Sequence, residues 1–145
     1  QNADVILWSM SERRQVSCFQ EQDHGIDCVC FSHDDRLLYC CGDIVDQRVF
    51  IYDTNAGLIV AWASLNPKPT ICAIGGGFVK DIKRRDTHEY LFAACGGKTI
   101  SLAHLDVSNR ALAFYPVGVS GKHVREFTSL AFTQDREHLL AGTTS

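Results

Sequence analysis

Between His24 and Trp62, four short apolar runs follow one another with connections too short for a crossover helix, so only an antiparallel meander accommodates them. Ile26 to Phe31 is followed by Ser32-His33-Asp34-Asp35, polar residues whose side chains bond their own backbone in turns. Leu37 to Cys41 is closed by Gly42-Asp43. Arg48 to Tyr52 carries Val49, Phe50 and Ile51, which favour a pleated backbone. Asp53-Thr54-Asn55-Ala56-Gly57 then reads as a tight turn before a last run from Leu58 to Trp62.

These runs do not alternate apolar with polar. Leu37-Leu38-Tyr39 and Val49-Phe50-Ile51-Tyr52 place apolar side chains on both sides of the strand, which requires a sheet covered on both faces. A small twisted sheet covered on both faces by copies of itself is a propeller blade. The copies are present. Asp4 to Trp8 and Arg14 to Phe19 read as third and fourth strands. After the full blade, Phe78 to Lys83, Tyr90 to Cys95, Lys98 to Leu105 and Ala111 to Tyr115 make a second set, and Phe127 to Thr133 with His138 to Thr143 repeat strands one and two. Asn66-Pro67-Lys68-Pro69 marks a blade boundary because its prolines donate to no ladder, and Pro116 to Glu126 is the next link. Superposition puts Phe31, Ile82 and Phe132 at the ends of first strands, and Trp8, Tyr52 and Ala103 at the ends of third strands.

The fold class is therefore all-β, a propeller arc of about three blades' worth of four-stranded antiparallel sheets. Residues 1–19 form a half blade (strands three and four), 20–66 and 67–119 full blades, and 120–145 a half blade (strands one and two). Closed propellers have roughly four to eight blades, so the chain reads as an excerpt of a longer protein. It also begins at Gln1, without Met.

Bulk properties exclude several classes. No apolar run approaches the ~18 residues of a spanning helix, and no basic stretch leads into an apolar core at the N-terminus. A net charge of −3 gives no global attraction to nucleic acid. Seven cysteines, an odd number, sit largely in or beside apolar runs and read as reduced, in an intracellular setting.

Cys28, Cys30, Cys40 and Cys41 form the most metal-like grouping. On strands, however, Cys28 and Cys30 share a face while Cys40 and Cys41 oppose each other, so only three converge, and structural zinc draws its thiolates from turns that wrap the ion. They read as small hydrophobic filler, with no metal and no cofactor. Burial keeps such thiols protonated, which argues against a nucleophile and against an enzyme using them. Gly75-Gly76-Gly77 precedes a strand, unlike a phosphate cradle, and reads as a blade link where another backbone approaches closely. His33, His88, His104, His123 and His138 are scattered and read as surface or cap residues. Lys83-Arg84-Arg85, the one basic run, falls in the turn between strands one and two of the second full blade. It is a solvated turn by default and a contact for an acidic protein surface in the functional reading.

The ending Ile6-Leu7-Trp8-Ser9, its partner Phe50-Ile51-Tyr52-Asp53 and the turn Phe31-Ser32-His33-Asp34-Asp35 resemble the WD-repeat family. In that family an Asp six residues before the closing aromatic bonds amides in the hairpin between strands two and three. The resemblance assigns that role to Asp46, six before Tyr52, with Trp8 and Tyr52 as structural blade positions; Gly97 stands six before Ala103. Ala3 to Trp8, the turn Leu105 to Arg110 and the closing Gly142-Thr143-Thr144-Ser145 occur in the order and at the approximate spacing seen in the cilia- and flagella-associated WD-repeat proteins. That resemblance implies a non-catalytic axonemal scaffold in the cilium or flagellum, a microtubule inner protein touching tubulin and other axonemal proteins, with no membrane or nucleic-acid partner. A soluble cytoplasmic WD-repeat adaptor organising a protein complex is the competing reading.

Overall fold

The computed structural model describes residues 3–65, 70–119 and 125–145, so the Asn66 to Pro69 boundary and residues 120–124 of the second link lie outside the described residues. Those residues form twelve strands and no helix. The strands are β1 (Ala3–Ser9), β2 (Arg14–Gln22), β3 (Ile26–Phe31), β4 (Leu37–Gly42), β5 (Arg48–Asp53), β6 (Leu58–Ser64), β7 (Cys72–Lys80), β8 (Asp86–Gly96), β9 (Thr99–Asp106), β10 (Ala111–Pro116), β11 (Phe127–Phe132) and β12 (Leu139–Thr143). They pair as a β1-β2 hairpin, a β3-β4-β5-β6 sheet, a β7-β8-β9-β10 sheet and a β11-β12 hairpin, antiparallel throughout. Chain order is sheet order in each, which is the meander of propeller blades.

Stacking explains the missing alternation. From β4 and β5, Leu38, Cys40, Phe50 and Tyr52 pack with Phe19, Val5 and Leu7 of the β1-β2 hairpin. Their sequence neighbours Leu37, Tyr39, Cys41, Val49 and Ile51 point the other way and pack with Tyr90, Phe92, Ala103 and Leu105 of the next sheet. That sheet in turn covers Phe127 and Leu130 with Ala93, Cys95 and Ile100. Rings mark the seams: Phe19 on Tyr52 at 4.2 Å and Tyr39 on Phe92 at 5.0 Å between centroids. Each large side chain so buried stabilises by about 1.5–3 kcal/mol, and both faces of one strand contribute.

Three sequence readings are corrected. The first strand of the second sheet is Cys72–Lys80, not Phe78 to Lys83; Ile82 stands in the following turn and is 99% exposed. Asp81 is the cause. Its Oδ1 accepts the Lys83 and Arg85 amides at 2.8 and 2.9 Å, ending the strand before Ile82 can pair. The Gly75-Gly76-Gly77 triplet accordingly lies inside β7 and is not a link. A Cβ on Gly75 would stand 2.2 Å from the Phe31 carbonyl oxygen, and one on Gly76 would stand 2.5 Å from Phe132 Cζ. The strand is pinched between its two neighbours, and the absent side chains permit it. Finally, Leu105, not Ala103, is the counterpart of Tyr52. Leu38 pairs Tyr52 and Tyr90 pairs Leu105, each followed by an aspartate that opens the next turn.

Candidate interaction surface

The first-to-second-strand turns are one device built three times. Ser32 Oγ accepts the Leu37 amide at 3.0 Å and donates to Asp34 Oδ1 at 2.6 Å; Thr133 Oγ1 accepts the His138 amide at 3.1 Å and donates to Asp135 Oδ1 at 2.5 Å. Asp81 occupies the same place in the middle turn. The fourth residue of each, Asp35, Arg84 or Arg136, is left-handed with φ near 60°. That backbone is strained for a side-chain-bearing residue, and the bonded turn on either side holds it.

Lys83, Arg84 and Arg85 lie in the middle turn, but they are not equivalent. Arg85 clamps Asp81 Oδ2 through Nε at 3.0 Å and Nη2 at 2.8 Å, so its donors face its own turn. Arg84 Nη2 stands 3.7 Å from Glu137 Oε2, and Lys80 Nζ also pairs with Glu137, joining the second sheet to the β11-β12 hairpin. Tyr90 OH donates to Asp34 Oδ2 at 2.8 Å and joins the first full sheet to the second. Between these turns lies a cleft of about 460 Å³, lined among others by His33, Gly76, Phe78, Leu91 and Arg136.

The carboxylates of these turns set the acid sensitivity. Burial works to raise the Asp34 carboxyl, but hydrogen bonds from Ser32, Tyr90 and the Arg36 amide outweigh it and leave it below the usual range. The Arg85 amide and then its guanidinium hold Asp81 low, and the Thr133 hydroxyl does so for Asp135. A folded carboxyl lowered below its unfolded value of about 4 contributes stability that is present above that pH and lost as pH falls through the folded value. The thermal midpoint is expected to hold between pH 7 and 5 and fall below about pH 4; a fall centred near pH 6.5 would implicate the histidines instead.

Trp8 lies on the face of β1 away from Val5 and Leu7 and is 57% exposed. Tyr52 is buried against Phe19, and burial followed by Glu21 pushes its phenol well up. The fully covered Asp46 carboxylate accepts the Asp23 amide at 3.0 Å and Arg48 Nε at 2.5 Å, and Arg48 Nη2 returns to Asp23 Oδ2 at 2.7 Å. The hairpin's own amides go to Asp43, which sequence reasoning missed. Its Oδ1 accepts the Val45 and Asp46 amides at 2.9 and 2.8 Å, and its Oδ2 accepts the Gly25 amide at 3.0 Å. An Asp directly after a strand-ending glycine is the signal that finds it.

Cys28, Cys30 and Cys41 do share one face, with Cys40 on the other. A hydrogen bond to Cys41 and then burial push the Cys28 thiol far up, burial does so for Cys30, and Cys40 is pushed up to about 12. Such groups are thiols at neutral pH and poor nucleophiles. Under native conditions a thiol-specific chromogenic reagent is expected to label the exposed Cys18 first, with the buried Cys40, Cys41 and Cys95 reacting only on unfolding. Fast labelling of Cys40, Cys41 or Cys95 would contradict this packing.

Two histidines are not surface residues. His33 sits edge-on to Phe78 at 4.6 Å with Nδ1 buried and unbonded, and His104 is half-buried against Tyr115 at 4.5 Å. His88 and His138 are exposed, and His123 lies outside the described residues.

Comparison with known proteins agrees with this geometry. Residues 13–53, spanning β2 to β5, match the family model of the WD domain, G-beta repeat. Solved structures with the same arrangement include the β-propeller domain of Cps50 (Swd1) from Myceliophteria thermophila, with TM-score 0.72 and 19% identity over 99% of this chain and 43% of that one. A chain of the mitotic checkpoint complex aligns with TM-score 0.71 and 12% identity over 97% of this chain and 40% of that one. The protein is thus an all-β propeller arc that carries a WD repeat. Among curated proteins it is similar to centriole proteome protein 16 of Chlamydomonas reinhardtii, 27% identical over 133 residues, and to cilia- and flagella-associated protein 52 of Sus scrofa, 25% identical over 149 residues. These alignments cover 89% and 99% of this chain but only 6% and 22% of those proteins. The chain thus carries a match to one WD repeat and is distantly similar to proteins named for the centriole and for cilia and flagella.

Proposed function

We propose that this chain is part of a non-catalytic scaffold of the ciliary or flagellar axoneme, a microtubule inner protein that touches tubulin and neighbouring inner proteins inside doublet microtubules. The observation that carries the reading is the likeness, over nearly the whole chain, to one relative named for cilia and flagella and another named for the centriole. The physics is compatible. Sheets pressed together through apolar faces make a stiff body whose turns vary without disturbing the core. Burial holds the thiols of Cys30 and Cys40 protonated, which supports a role without catalysis. The turn holding Lys83, Arg84 and Arg85 is the proposed contact for an acidic partner.

Fractionation of ciliated cells expressing the tagged full-length protein tests the location. Recovery with salt-extracted axonemes is the expected result. Recovery entirely in the detergent-soluble fraction overturns it and favours a soluble adaptor of a protein complex.

A further inference from the structure

We propose that the hairpin between β4 and β5 is a second docking point, where Ile44 and Val45 pack against the apolar face of a basic amphipathic segment of a partner protein. Turn positions favour glycine and short polar residues, and the corresponding turn of the second sheet follows that rule with Gly96, Gly97 and Lys98. The first sheet instead places two β-branched residues at the tip, Ile44 53% and Val45 61% exposed. Neither belongs to the apolar clusters that join the sheets. The tip is nevertheless held rigidly. Asp43 Oδ1 accepts the Val45 and Asp46 amides, Gln47 Nε2 donates to the Ile44 carbonyl at 2.8 Å, and Gln47 itself is left-handed at φ 51°. A backbone fixed in this way presents its apolar groups with no loop left to order on binding, and covering them recovers hydrophobic free energy that the fold by itself leaves unused.

Charge identifies the occupant. Asp23, Asp27, Asp43 and Asp46 crowd the base of the hairpin, where Asp43 accepts the Gly25 amide and Asp46 accepts the Asp23 amide. Arg48 is shared between Asp23 and Asp46, and Asp27 and Asp43 enter no ion pair among the described residues. Their mutual repulsion is felt: burial and then Asp43 raise the Asp27 carboxyl. A lysine or arginine brought alongside relieves that repulsion. No three such side chains among the described residues gather to hold a metal ion, so the cation that fits arrives on a side chain. Nucleic acid and anionic lipid are repelled by the same carboxylates. Because β4 runs from the Ser32 turn to this hairpin, the tip lies at the opposite end of the sheet from the turns that include Lys83, Arg84 and Arg85. A basic partner seated here leaves the basic turn free for an acidic one, so the chain can hold two partners of opposite charge at once.

The probe is a fluorescein-labelled peptide of leucine and lysine in amphipathic helical order, followed by anisotropy against the full-length protein at low salt. Two counterparts replace leucine by serine or lysine by glutamate. The leucine and lysine peptide is expected to bind, and both counterparts about tenfold more weakly or worse. Ile44→Ser combined with Val45→Ser should weaken binding about tenfold, and Asp27→Asn should weaken it by a smaller factor. The hairpin keeps its shape in these variants because Asp43 bonds backbone amides. Ile82→Ser removes a 99% exposed isoleucine at the opposite end and is expected to leave binding unchanged. Undiminished binding by the double variant, an equal loss for Ile82→Ser, equal affinity for the glutamate counterpart, or no binding by the full-length protein overturns the docking point. These readouts are independent of axonemal recovery: a protein absent from axonemes that still binds through Ile44 and Val45 loses the location and keeps the docking point.

Discussion

Gly75→Ala is expected to lower the thermal midpoint by roughly 10 °C or more, with overpacking of about 3 kcal/mol acting on a small β assembly. The added Cβ would sit 2.2 Å from Phe31 O and 3.0 Å from Ser32 Cα, so the collision is with backbone and no rotamer relieves it. Either β7 leaves β3 or the turn at Ser32 shifts, and that turn holds the Asp34 carboxylate that Tyr90 bonds. Gly118→Ala is the natural control, since a Cβ there meets nothing within 4 Å. Circular dichroism melts of the two variants decide the matter. A Gly75→Ala midpoint equal to that of Gly118→Ala would show that the first and second full sheets do not approach as closely as described.

Phe92→Ala should cost about 3–5 kcal/mol, comparable to the whole stability of many domains of this size. Phe92 is fully buried and stacked on Tyr39 across the seam between the two four-stranded sheets, so its removal leaves a void that β4 and β8 cannot both close. The companion substitution separates packing from polarity. Tyr39 OH is buried without a hydrogen-bond partner, so Tyr39→Phe is expected to be neutral or slightly stabilising. Urea titration checks the pair, with the slope held near the parent value and the midpoint moving only for Phe92→Ala. A midpoint shift below about 1 kcal/mol for Phe92→Ala would place the ring outside the seam.

Much of the architecture was legible in the residues because both signals involved are local. Turn-forming tetrads such as Ser32 to Asp35 stop strands wherever they occur, and runs such as Val49 to Tyr52, apolar on both sides, demand two covered faces. The errors fell where a local signal pointed the wrong way. Three glycines are poor strand formers by propensity, yet β7 runs through them because its neighbours leave no room for side chains. Ile82 looked like a strand end by its apolar character, and the carboxylate of the residue before it had already turned the chain.

The interaction edge shows the same division. The basic run Lys83-Arg84-Arg85 was visible in the sequence as charge, but charge alone does not reveal which donors are already occupied. Arg136 lies 103 positions beyond His33, and nothing in the neighbourhood of either marks the two as lining one cleft. Only the lateral stacking of one sheet on the next brings their turns to a common cleft.

By itself the sequence determined the twelve strands, their antiparallel order and the need for neighbours on both faces, since these follow from period, turn chemistry and hydrophobicity read a few residues at a time. Tertiary structure alone decided which glycines of β7 are indispensable and that Lys80 pairs with Glu137. Those properties depend on distances between residues more than 40 positions apart, and no local pattern encodes them.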